Sequence, residues 1–186
     1  MIIASQKRKE NIAEYLLYMW QVEDLIRANG LDMAKIEHNV IDKYSLDAAQ
    51  RKEMTEWYES LIDMMRREGV TEKGHLQLNK NVIIQLVDLH LALLKDPKFP
   101  EYTSEFYKAL PYIVELRAKA GDDKKDEIET CLTALYGMLM LRLQGKEISP
   151  DTMNAIKQIS RFIALLSHYF KLDEANQLFK DDDPAE

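Results

Sequence analysis

Apolar positions recur every three to four residues along almost the whole chain, and no stretch sustains a two-residue alternation rich in β-branched side chains. A 3.6-residue period puts the apolar side chains on one face of a helix, so the pattern predicts an all-α protein. Asn29-Gly30, Gly69, Gly121 and Gly145 fall where periodic segments end, because glycine accepts the left-handed conformation that closes helices. Ser149-Pro150 reads as a cap followed by a first-turn proline. Lys95 to Pro100, with two prolines, is the clearest break.

These marks predict about seven helices. The first runs from about Gln6 to Ala28 and the second from Leu31 to Lys43. The third is capped by Ser45 and ends at Glu68, and the fourth starts between Thr71 and His75 and ends near Leu94. The fifth covers Glu101 to Ala120, the sixth opens in Asp122-Asp123 and ends at Gly145, and the seventh reaches Leu172. Long helices with short connections favour antiparallel neighbours, hence an up-and-down helical bundle. The reading is one domain over residues 1–180, with Leu178 and Phe179 docking on it, and an acidic disordered tail over residues 181–186.

Sorting each helix by face separates core from surface. Met54, Trp57, Tyr58, Leu61, Ile62 and Met65 share one side of the third helix, opposite the spaced pairs Lys52/Glu56 and Asp63/Arg67. Glu53, Glu56, Glu59 and Asp63 therefore read as a solvated face rather than a metal cluster. The seventh helix turns Ile156, Ile159, Phe162, Ile163, Leu166, Tyr169 and Phe170 inward. The sixth has a core stripe of Ile128, Leu132, Leu135, Tyr136, Leu139 and Leu143, but a back of Thr130, Thr133, Gly137 and Leu141 that lacks charge. Such a back fits a helix packed on two sides, or a candidate interface with a second copy of the chain. Tyr15 to Trp20 are six large residues in a row, which helical geometry spreads around the whole circumference. That helix must be buried on several sides or meet a partner. Tyr15, Tyr18 and Trp20, with His90 on an apolar face, form the candidate pocket. Pro111, inside the fifth helix, predicts a kink or restart near Leu110.

Charge narrows the function classes. The net charge of −7 and the lack of a basic stripe beyond Lys7-Arg8-Lys9 argue against nucleic-acid binding. No uncharged run approaches the ~20 residues of a membrane span, and the order of apolar and basic residues at the start is the reverse of a signal peptide. One cysteine, Cys131, precludes an intrachain disulfide and suits a cytoplasmic setting. Phosphate-loop, dinucleotide, nucleophile-elbow and zinc-protease signatures are missing from the sequence. Glu72-Lys73-Gly74-His75 has the spacing of half a di-iron site but no twin. No catalytic residue, metal site or cofactor is expected.

The segment Lys9-Glu10-Asn11-Ile12-Ala13-Glu14-Tyr15, continuing Leu17-Tyr18-Met19-Trp20-Gln21-Val22-Glu23-Asp24-Leu25, resembles the start of a family of small uncharacterised all-helical bacterial proteins, a domain of unknown function. The resemblance implies a cytosolic helical protein and supplies no activity, cofactor or catalytic residue. The residues themselves lead to a non-enzymatic cytoplasmic protein that works through protein–protein contacts, in one version as a homodimer. The alternative is a small-molecule binder or all-helical hydrolase with a site between helices.

Overall fold

The computed structural model describes residues 2–121 and 125–179. Among the described residues there are eight α-helices and no strands. They are α1 (Ile2–Glu10), α2 (Ile12–Ala28), α3 (Met33–Asn39), α4 (Ala48–Arg67), α5 (Gln77–Lys95), α6 (Pro100–Ala120), α7 (Glu127–Leu143) and α8 (Pro150–Glu174), with a 3-10 turn over Ile41–Lys43. The protein is thus the all-α bundle that the periodicity predicts, with one helix more.

The extra helix comes from Asn11. The apolar period passes straight through this position, so the pattern alone predicts one helix there. Asn11 instead adopts extended backbone with φ −154°, and its side-chain oxygen accepts the N–H groups of Ala13 and Glu14. A short amide side chain that satisfies the free donors of a helix start competes well with continued helix.

Other boundaries move for similar reasons. Ser45 does not cap α4; Asp47 does, in a reciprocal capping box with Gln50. The second predicted helix stops at Asn39 and tightens into the 3-10 turn, which buries Val40 and Ile41. α5 starts at Gln77, later than the predicted window. The predicted opening of the sixth helix at Asp122-Asp123 lies outside the described residues; within them α7 begins at Glu127, capped by Asp126. The acidic tail over residues 181–186 is likewise outside them. α6 runs through Pro111 without the predicted restart. Pro111 and Tyr107, whose carbonyl loses its helical donor, are both exposed, so the loss falls on the solvent side of the helix and not in the core.

One hydrophobic cluster joins all the helices. α8 lies along α6 and α7 and touches α2 and α5, while α7 also meets α2, α5 and α6. Trp20, Tyr102 and Phe162 are the largest fully buried side chains. The α4 face Met54, Tyr58, Leu61, Ile62 and Met65 enters the same cluster as predicted. On its outer side the Lys52–Glu56 and Arg67–Asp63 pairs form at 3.7 and 3.8 Å. Leu143 departs from the prediction: it is 69% exposed, because the chain leaves the bundle at Gln144. Leu178 packs against the core, and Phe179 meets Phe99 edge-on. Among the described residues no helix is long and apolar enough to cross a membrane.

Candidate functional site

α7 and α8 enter their loop with α2 alongside, and a groove of about 620 Å³ opens between the three. Its floor is apolar. Leu17 comes from α2, Leu135, Met138 and Leu139 from α7, and Ile156 and Ile163 from α8. Met153, 40% exposed, extends the apolar surface at one end.

The rim is basic. Arg142, Lys157 and Arg161 stand along it, and among the described residues none of the three has a carboxylate partner. Glu14, the acidic group on the rim, is held by Lys7 at 3.2 Å. The groove is therefore a local concentration of positive charge on a chain of net charge −7. Its volume falls in the range of roughly 300–1,000 Å³ typical of ligand sites.

Two turns further along α2 lies a polar centre that the sequence reading missed. The Glu23 carboxylate is fully buried. One oxygen accepts the backbone N–H of Leu76 at 2.9 Å and the Asn79 amide at 2.7 Å. The other is 2.6 Å from Nδ1 of His75. The His75 ring stacks on Trp20 with centroids 4.2 Å apart and planes 15° from parallel. Tyr136 meets Trp20 edge-on and donates its hydroxyl to Asp24 at 2.6 Å. Arg27 bonds Asp24 and reaches the carbonyls of Val70 and Gly74. A sequence signal for this centre existed: Glu23 sits four residues after Met19 and three before Ile26, on the buried stripe of α2. A carboxylate there must be paired.

Tyr15, Tyr18, Trp20 and His90 do not line the groove between α2, α7 and α8. His90 is 2% exposed, its Nδ1 is 2.7 Å from the Tyr102 hydroxyl, and Phe106 and Phe162 flank the ring. Burial holds its pKa below the ordinary histidine value, against the pull of Glu127 and Asp126. Tyr15 and Trp20 are buried in helix packing, and Tyr18 is half-buried. Burial, reinforced by Tyr44, pushes the Tyr18 phenol up to about 12. The aromatic run thus does what its pattern required, since every residue from Tyr15 to Trp20 is at least half-buried. Leu17 among them also floors the groove.

The candidate interface residues on α7 divide. Thr130 is buried, donating to the Asp126 carbonyl at 2.7 Å and facing Nε of Arg117 at 3.4 Å. Thr133 and Gly137 are exposed and Leu141 is half-buried. A Cβ on Gly137 would meet nothing within 4 Å, so among the described residues no neighbouring segment needs the glycine. Cys131 is buried, and burial raises its thiol pKa well above the usual range.

Among known proteins, the model of a family described as a domain of unknown function, DUF4924, matches residues 1–177. No curated protein and no solved structure matches the chain.

Proposed function

The chain belongs to the DUF4924 family, and from that premise we propose that it is a non-enzymatic, cytoplasmic interaction protein whose groove between α2, α7 and α8 receives an acidic amphipathic helix of a partner protein. The observation that carries this reading is the pairing of an apolar floor with three basic side chains that have no carboxylate partner among the described residues. An amphipathic helix presents apolar anchors three and four residues apart, and acidic flanks would meet Arg142, Lys157 and Arg161. The α8 side of the groove, from Met153 to Ala164, spans about three turns at 1.5 Å per residue, enough for an anchor on each turn. A bacterial origin accords with the resemblance of the N-terminal segment.

The test uses a fluorescein-labelled synthetic helix of about fourteen residues, with leucines on one face and glutamates on its flanks, titrated with the full chain. Saturable binding is expected, weakened by salt because rim charges act over a Debye length of roughly 8–10 Å. A version with lysine flanks binds at least tenfold more weakly. Leu139→Asp abolishes binding while leaving the circular dichroism spectrum unchanged. Equal binding of both peptides, or by Leu139→Asp, would overturn the reading. So would light scattering that shows a dimer for the wild-type chain and a monomer for Leu139→Asp.

A further inference from the structure

Building on the groove's reading as a helix site, we propose that the partner helix lies along α8 and carries one row of three carboxylates, four residues apart, on the flank that faces α8 alone. The rim cations are regularly spaced. Met153, Lys157 and Arg161 are each four residues apart, so they follow one row along the surface of α8 at about 6 Å per step. Nη2 of Arg142, from the end of α7, reaches the Met153 sulfur at 3.9 Å. A guanidinium therefore occupies the place in the row that Met153 leaves neutral. Three cations thus follow α8, one per helical turn.

The two sides of α8 differ. Ile163 is buried and Ile156 half-buried, on the side that packs on the bundle, whereas Lys157 and Arg161 are exposed. The helical period places Ser160 and Ala164 between these two sides. Both are exposed and small, so another backbone can come close over them. A helix seated there turns its apolar anchors toward Ile156, Ile163 and Leu139, and one flank toward the cations. The repeats match. Residues four apart on the partner also rise about 6 Å, so carboxylates at i, i+4 and i+8 meet one cation each.

The opposite rim is different in kind. α2 supplies Ala13, Glu14 and Leu17 there. The Glu14 side chain is 61% exposed, and Lys7 already holds it at 3.2 Å. A carboxylate on that flank of the partner would face another carboxylate whose neutralising lysine is in use, and like charges brought together are unfavourable. Charge on the partner is therefore one-sided. A helix of the same net charge with glutamates spread around its circumference turns only one of them to the α8 row.

The experiment titrates the full chain into fluorescein-labelled helices of equal length and equal leucine face, each closed by a lactam bridge on its outward side to equalise helicity. The first carries glutamates at i, i+4 and i+8 on one flank. The second carries three glutamates spread around its polar positions, and the third carries a row on each flank. The single row is expected to bind at least fivefold more tightly than the spread helix, and the double row no more than twofold more tightly than the single row. Arg161→Gln, at an exposed position, should weaken the single-row helix at least threefold and leave the spread helix within twofold. Equal binding of row and spread helices would overturn the proposal and leave the groove reading standing. A second row that tightens binding more than twofold, or an Arg161→Gln variant that binds the row helix like wild type, would do the same. If none of the three helices binds, the groove reading itself fails and the row fails with it.

Discussion

Glu23 on α2 and Leu76 at the start of α5 are 53 positions apart in sequence, and the buried carboxylate of one caps the backbone N–H of the other at 2.9 Å. α5 has no capping side chain of its own at Leu76. Its first donors are met from a distance, Leu76 by Glu23 and Gln77 by Glu68 at 2.6 Å. The helix start is therefore a tertiary feature, and the loop before it is fastened by the same contacts.

Removing Glu23 should cost more than any exposed charge. Glu23→Leu would leave the Leu76 N–H, the Asn79 amide and Nδ1 of His75 without their acceptor inside the protein. Breaking such a buried set costs about 3–5 kcal/mol. Urea unfolding should show a lower midpoint for Glu23→Leu, with Glu23→Gln losing less because an amide oxygen still accepts. A midpoint for Glu23→Leu equal to wild type would contradict the capping role.

His90 predicts a pH dependence with a definite sign. Its folded pKa lies below the ordinary value because burial disfavours the charged ring. Below about pH 6.5 the unfolded chain takes up a proton that the folded chain resists, so stability falls as pH drops through this window. Above it His90 contributes no slope. His90→Phe should flatten the stability profile between about pH 6.5 and 5. Tyr102→Phe should cost about 1–3 kcal/mol, because His90 Nδ1 then has no partner inside the core. Thermal melts across that pH range check both.

Gly137→Ala should stabilise the chain. The residue lies inside α7, has no positive φ and faces open space. Alanine recovers about 0.5–1 kcal/mol of helix propensity there. A rise of about 1–4 °C in melting temperature is expected. If Gly137→Ala or Gly137→Leu instead dissociates an oligomer seen by light scattering, the glycine serves a contact between copies.

Asn11→Ala should cost about 1 kcal/mol, the typical value of an N-cap. It frees the Ala13 and Glu14 N–H groups and removes the device that separates α1 from α2. Differential scanning calorimetry would register the loss. No change would mean that the two helices simply fuse, as the periodicity alone suggests.

Much of this protein is written locally. The 3.6-residue period makes every major element a helix, because one apolar face must leave water whatever it packs on. The buried sides of α4 and α8 follow from that face alone, and so do the ion pairs of α4, which need only one turn of helix. Gly121 and Pro150 likewise act through their own backbone, the first in the left-handed conformation at φ 64°. That no residue from Tyr15 to Trp20 is left exposed was legible too, since six large residues leave no solvent side. What the tertiary structure decided is where polar groups find partners. His75 meets Glu23, not Glu72, because α2 packs across the start of α5. His90 faces Tyr102 because α5 and α6 lie side by side. Arg142, Lys157 and Arg161 become one basic rim only when α7 and α8 bring them around the floor that Leu17 shares. Periodicity sets which face of a helix is buried, but a hydrogen bond between distant segments depends on the packing of the whole chain.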